Sequence, residues 1–389
     1  MDITIEPGRL CGTISAPSSK SQAHRYLICA ALSSNPTTLI CLDTSRDIEA
    51  TVGCLNALGA RITRTVDGYS IEPIQNVPQR AVLECCESGS TLRFLLPIVG
   101  ALGVDATFRM EGRLPQRPLS PLWEEMERMG CTLSRPAADT IRCCGKLKAG
   151  NYEISGAVSS QFITGLLFAL SLIDGACELF VSGNIESRHY ITMTEEAMSL
   201  FGAPNYRSPG TVMVEGDWSN GAFWVAAQVL GSALTVKGLN SISIQGDRAV
   251  VDIADQLMVS CPTVSAADIP DLIPILSVIA AANHGAVFTD IRRLRLKESD
   301  RVTAITEMIN GLGGSAEAAE NTLPIHGTGL VGGAVDSHND HRIAMAAAIA
   351  ATVCKKPVTV IGADAIQKSY PTFWEEYRRL GGNYEQHIR

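Results

Sequence analysis

The chain repeats one pattern of polar and apolar positions six times. A short polar stretch opens directly into a long apolar run in "SSKSQAHRYLICAAL", "ESGSTLRFLLPIVGAL", "SSQFITGLLFALSL", "DWSNGAFWVAAQVL", "DIPDLIPILSVIAAA" and "NDHRIAMAAAIAATV". Each run keeps helical i, i+3, i+4, i+7 spacing, as in Ala23/Tyr26/Leu27/Ala30, Leu92/Leu95/Leu96/Val99 and Ile163/Leu166/Leu167/Leu170. A helix apolar on nearly every side belongs in a core, so these six are predicted to be buried. Pro97 falls inside the second and predicts a kink.

A second, amphipathic helix type alternates with the first. "CLNALGARI", "EEMERMGCTL", "EEAMSLFGAPN", "MINGLGGSA" and "YRRLGGNY" each end on a large apolar residue and a glycine: Gly59, Gly130, Gly202, Gly313 and Gly381. A glycine there stops a helix in the left-handed conformation, and a strand is expected next. The longer gap between Gly202 and Gly313 has room for two shorter units, with "VVDIADQLMV" as the missing helix. Strand-like segments such as "TTLICL" and "ALTVKGL" link the helices. The expected architecture is α/β, with a strand–helix–strand–helix–strand unit occurring six times, three per lobe. The chain should cross between lobes near Ser15 and again near Glu215–Asp217, giving one lobe from 1–14 plus 216–389 and another from 15–215.

Composition narrows the function. The 389 residues are 46% hydrophobic and 19% charged, with a net charge of −8, which fits a globular protein and opposes a basic nucleic-acid surface. A small anionic ligand remains compatible, because a few cations can dominate a local field. The 12 cysteines are scattered, with no C-x-x-C, and read as free thiols of a reducing compartment rather than disulfides or metal ligands. The N-terminus "MDITIEPGRLCGTI" has no signal-peptide character, and the longest apolar run, "IAMAAAIAATV", is too short for a bilayer. A cytoplasmic protein without membrane association is expected.

The chemistry collects at the N-terminal ends of the six apolar helices. Ser, Asp and Asn there are ordinary caps. Lys20, Arg25, Arg93 and Arg342 are not, because cations in a first turn oppose the helix dipole, so their recurrence points to a bound anion. The first group, "SAPSSKSQAHR", lacks the glycine spacing of a P-loop. It is followed by "ESGSTLR" with Gly89, by "GRLPQRPLSPL" with Arg113 and Arg117, and by "SSQ" at Ser159–Gln161. Next come "DIPD" with Asp268 and Asp271, "RLRLKESDR", "NDHR", and Lys368 in "IQKSYPTF". "RLRLKESDR" packs Arg293, Arg295, Lys297 and Arg301 beside Glu298 and Asp300 in nine positions. His189 and His326 receive no role.

This ordered set resembles the 5-enolpyruvylshikimate-3-phosphate synthase family over essentially the whole length. "SKSQAHR", "SGSTLR", "RPL", "SSQF", "IPD", "RLKESDR" and "NDHR" carry the likeness. The resemblance implies two lobes of three βαβαββ repeats with the active site in the cleft between them. It implies transfer of the enolpyruvyl group of phosphoenolpyruvate to the 5-hydroxyl of shikimate-3-phosphate, with no metal or organic cofactor. Such an enzyme belongs to the shikimate pathway of chorismate and aromatic amino acid biosynthesis, and a monomer is expected. Shikimate-3-phosphate would be held by Lys20, Ser21, Arg25, Ser159, Ser160, Gln161, Ser187, Tyr190, Asp271 and Lys297. Phosphoenolpyruvate would lie among Lys20, the Gly89 backbone, Arg117, Gln161, Arg301, Arg342 and Lys368. Asp271 is the expected base on the hydroxyl and Glu298 the proton carrier at the methylene, with His341 and Lys20 nearby.

Three positions depart from the family pattern: Glu87 where Asn is frequent, His24 likewise, and Arg293 where a neutral residue is common. The sibling enolpyruvyl transferase acting on UDP-N-acetylglucosamine typically carries K-N in its first motif and a loop cysteine, and this chain has neither. An RNA-end-processing enzyme on related repeats is disfavoured by the acidic balance. A non-catalytic phosphometabolite-binding protein would not need Asp271 and Glu298 together amid anions.

Overall fold

The computed structural model describes residues 1–387. The chain forms two compact units: Met1–Pro17 with Gly216–Arg389, and Ser18–Glu215. Each has its own hydrophobic core.

The same sheet recurs within both units. In Ser18–Glu215, the strands Thr211–Met213, Thr37–Ile40, Gly68–Glu72 and Arg61–Arg64 lie side by side, the first pair parallel and the others antiparallel. Arg80–Glu84, Asp105–Arg109, Thr140–Gly145 and Cys131–Ala137 repeat that order. Gly150–Ser155 and Cys177–Ser182 form a parallel pair alone. The other unit has two four-stranded sheets of the same pattern. One is Thr263–Ser265, Gly285–Thr289, Thr322–His326 and Ser315–Ala316. Its second is Gly333–Asp336, Val358–Ile361, Asp2–Ile5 and Tyr384–His387. Its lone parallel pair is Cys11–Ser15 with Ala233–Lys237. Parallel strands need a crossover, and for four of these six parallel pairs an apolar helix supplies it directly.

All six predicted apolar helices form: Lys20–Ala31, Gly89–Leu102, Ser160–Leu170, Trp218–Val229, Ile273–Ala282 and His341–Ala350. Ser19, Ser88, Ser159, Asp217 and Asp340 cap five of them by accepting a backbone N–H. The Ile273 helix instead has Pro274 in its first turn, and its N-cap residue, Leu272, makes no side-chain cap. Gly59, Gly130, Gly313 and Gly381 take positive φ and are followed by strands, as expected. Gly202 also has positive φ, but no strand follows until Thr211–Met213. The intervening "APNYRSPG" has two prolines and no alternating apolar face, and this unit keeps only its parallel pair.

The Gly89–Leu102 helix runs through Pro97 without a break in its span. Proline has no N–H to offer the carbonyl four residues before it, and Gly165 of the Ser160–Leu170 helix packs against the Arg93 carbonyl. A Cβ at Gly165 would collide with the Arg93 carbonyl and come within 3.1 Å of Pro97 Cγ. This close crossing places Arg93 and Gln161, on neighbouring first turns, within reach of one another. Gly165→Val should therefore lower stability by about 1–3 kcal/mol, measured by urea unfolding. It should also reduce ligand affinity, since both helix starts must shift.

Candidate active site

In the Ser18–Glu215 unit the sequence-predicted groups gather at helix starts. Arg25, one turn into its helix and 2% exposed, donates to Thr194 Oγ1 at 2.9 Å, the Ser21 carbonyl at 2.6 Å and the Tyr190 carbonyl at 2.8 Å. Its guanidinium also lies over the Phe94 and Tyr190 rings. These partners are all neutral, and burial pulls Arg25 down to about 10. Lys20 pairs with Asp47 at 2.7 Å. Arg93 donates to Gln161 Oε1 at 2.6 Å and to the Pro118 carbonyl, while Gln161 donates to Ser90 Oγ.

Arg117 follows the short 3-10 turn Leu114–Gln116. A Cβ on Gly89 would sit 2.7 Å from Arg117 Nη1 and 3.4 Å from Arg93 Nη1, so glycine is what admits the guanidinium to the helix start. Gly89, Arg93, Arg117 and Gln161 therefore form one group. Ser159 caps its helix, Ser160 is buried in the first turn, and Ser187 precedes the Arg188–Leu200 helix that carries Tyr190. The Tyr190 carbonyl joins that helix start to Arg25.

The other unit gathers charge of both signs. Arg301, 1% exposed, donates to Asp271 Oδ1 at 2.5 Å, Glu298 Oε2 at 2.8 Å and Asp340 Oδ2 at 2.8 Å. Asp271 Oδ1 is also 3.6 Å from Lys297 Nζ and 3.7 Å from Arg342 Nε. Arg342 donates to the Ser219 carbonyl at 2.9 Å. Asp340 has two tasks, since Oδ1 caps the helix through the Arg342 N–H and Oδ2 holds Arg301 and Ser299. His341 is buried, with Nδ1 3.9 Å from Asp340 Oδ1. Lys368 donates to the Asn339 carbonyl at 2.6 Å. Asp271, Lys297, Glu298, Arg301, His341, Arg342 and Lys368 thus belong to one neighbourhood.

Burial pushes Asp271 up, but Lys297, Arg342 and Arg301 outweigh it and hold the carboxyl well below its usual range. Burial pulls Lys297 down to about 8, against the opposing pull of Asp271. Burial opposes the charge of Arg301 as well, yet Asp340, Glu298 and Asp271 keep it firmly protonated. One neighbourhood therefore contains a fixed carboxylate and a lysine poised near neutrality.

Two departures find their places. His24 is buried, with Nδ1 2.8 Å from Thr51 Oγ1, and burial aided by Lys20 and Arg25 holds it well below its usual range. It is a neutral packing residue. Glu87 lies against Gly112, where a side chain would strike its carboxylate. Asp340, Asp47 and Thr194 were not singled out from the sequence. Asp340 reads as an ordinary cap, and Asp47 and Thr194 lie in the amphipathic helices Arg46–Ala57 and Arg188–Leu200 with no distinguishing signal.

A family model for EPSP synthase (3-phosphoshikimate 1-carboxyvinyltransferase) matches residues 5–377. The chain belongs to this family. It is 38% identical to the 3-phosphoshikimate 1-carboxyvinyltransferase of Clostridium kluyveri, covering 99% of this chain and 98% of that protein. The protein of the same name from Clostridium acetobutylicum is 36% identical over the same shares. A solved EPSP synthase from Acinetobacter baumannii matches with a TM-score of 0.78 at 21% identity, covering 99% of this chain and 100% of that one. The fold is the two-lobed enolpyruvyl-transferase fold, and the chain is a transferase of the shikimate pathway. The UDP-sugar sibling reading is not favoured. No helix among the described residues is long and apolar enough to cross a membrane.

Because Asp271 is depressed when folded, its contribution to stability is fully present above about pH 4 and is lost as pH falls through the folded value. Asp271→Asn should be less stable than wild type at pH 7, with the gap closing below pH 4 in urea titrations. Asp340→Asn keeps a capping oxygen but removes a buried charge partner of Arg301 and should cost about 3–5 kcal/mol by the same assay.

Proposed function

We propose that the chain transfers the enolpyruvyl group of phosphoenolpyruvate to the 5-hydroxyl of shikimate-3-phosphate and releases phosphate. The observation that carries this reading is the buried Arg25, which meets neutral partners in its own lobe and lies beside the Tyr190 helix start. A guanidinium so placed is costly without an anion. The two substrates together bring about six negative charges at neutral pH. Shikimate-3-phosphate is assigned to Lys20, Ser21, Arg25, Ser159, Ser160, Gln161, Ser187, Tyr190, Asp271 and Lys297. Phosphoenolpyruvate is assigned to Lys20, the Gly89 backbone, Arg117, Gln161, Arg301, Arg342 and Lys368.

In the addition step the 5-hydroxyl oxygen bonds to C2 of phosphoenolpyruvate. Its proton passes to Asp271, and Glu298 delivers a proton to the C3 methylene. The surrounding cations stabilise the tetrahedral intermediate. In elimination, C3 returns its proton to Glu298, the C2–O bond to phosphate breaks, and phosphate leaves with the proton held at Asp271. By the same reading, Lys20 and His341 assist these transfers. Arg301 grips Asp271 and Glu298 alike, which aligns the two carboxyl groups before substrate arrives. Neither a metal nor an organic cofactor enters this scheme. Monomeric, cytoplasmic function completes the reading.

The test is phosphate release from phosphoenolpyruvate with shikimate-3-phosphate, then with UDP-N-acetylglucosamine. Turnover with the first and none with the second is expected; the reverse overturns the reading. In single-turnover experiments, Asp271→Asn should slow formation of the tetrahedral intermediate by about 100-fold or more, and Glu298→Gln should slow methylene protonation similarly. An unimpaired Asp271→Asn enzyme would remove the base assignment.

A further inference from the structure

The geometry points to Asp247 as a positioning residue that couples anion binding at Arg342 to uptake of a proton. The inference rests on the assignment of Arg342 to phosphoenolpyruvate and deepens it. Asp247 lies in the 3-10 turn Gly246–Ala249 and is 2% exposed. Its Oδ2 accepts the Ser219 hydroxyl, while its Oδ1, also buried, has no hydrogen-bond partner among the described residues. Ser219 links two groups, because its backbone carbonyl accepts Arg342 Nη1 at 2.9 Å. Arg342 Nε in turn lies 3.7 Å from Asp271. The ionisable groups acting on Asp247 are Asp271, Arg342 and Asp217.

Two buried carboxyls therefore share the field of one guanidinium. Asp271 has further help from Lys297 and Arg301 and keeps its charge. Asp247 lacks such help; burial and the nearby Asp271 raise it to about 7, against the pull of Arg342 and Ser219. With Asp247 protonated, Arg342 faces one carboxylate and retains charge for an arriving anion. An ionised Asp247 neutralises that charge and repels the anion. Anion binding is thus favoured by the protonated form, and by reciprocity the bound anion draws a proton onto Asp247.

The experiment compares wild type with Asp247→Asn, which keeps the shape and the acceptor for Ser219. KM for phosphoenolpyruvate is measured at saturating shikimate-3-phosphate from pH 6 to 8.5. The ligand's own phosphate titrates in this range, so the readout is the ratio of wild-type to variant KM. That ratio should rise by about fivefold or more across the range. Calorimetry at pH 8 in buffers of different ionisation enthalpy should show wild type taking up a larger fraction of a proton than the variant. Ser219→Ala removes a hydrogen bond that favours the ionised form, and should move the profile to higher pH. A pH-independent ratio with equal proton uptake overturns the inference while leaving the reaction intact. Absence of turnover in wild type instead overturns the reading beneath it. If Asp247→Asn does not fold, the direction of the Ser219→Ala shift decides, and no shift or a shift to lower pH counts against the inference.

Discussion

A guanidinium taken out of water must be met by charge or by a full set of hydrogen bonds, and the two lobes satisfy this demand in opposite ways. In Ser18–Glu215, Arg25 is held by a hydroxyl, two carbonyls and two aromatic faces. In the other lobe Arg301 is ringed by Asp271, Glu298 and Asp340. The first arrangement leaves positive charge uncompensated, and the second spends it on carboxylates. In one lobe the buried cation is therefore left for an anion to complete, while in the other Arg301 shares its charge with carboxylates held in fixed positions. Enolpyruvyl transfer needs both capacities, since its substrates are anionic and its steps are proton transfers.

The fold provides this division through one repeated device. Each unit carries an apolar helix whose start faces polar groups, and buried helices cannot drift because their sides are fixed by packing. Small residues decide how closely the starts approach. Gly165 lets one helix settle against the Arg93 carbonyl, and Gly89 admits the Arg117 guanidinium. These glycines belong to the site as much as the charges do, because they set its spacing.

Much of this was legible in the sequence because periodicity and capping are local. The six buried helices, the glycines that end their amphipathic partners and the extra helix Val250–Val259 between Gly202 and Gly313 could all be read directly. The strand expected after Gly202 could not form in a proline-containing segment without an alternating face. Partnerships between distant residues left no local trace. Asp340 reads as a cap and is one, yet its second oxygen holds Arg301 from 39 residues away. His24 stands beside Arg25 in sequence but turns into the core toward Thr51. Asp247 follows an ordinary "QGD" turn, and nothing in its spacing announces Ser219 or Arg342.

The central claim is that Arg25 is kept buried among neutral groups because an anion completes it. Calorimetric titration of shikimate-3-phosphate alone into wild type and Arg25→Gln tests this most directly. The account predicts measurable binding to wild type and a loss of about 30-fold or more in the variant. Equal affinity in the two proteins would contradict it.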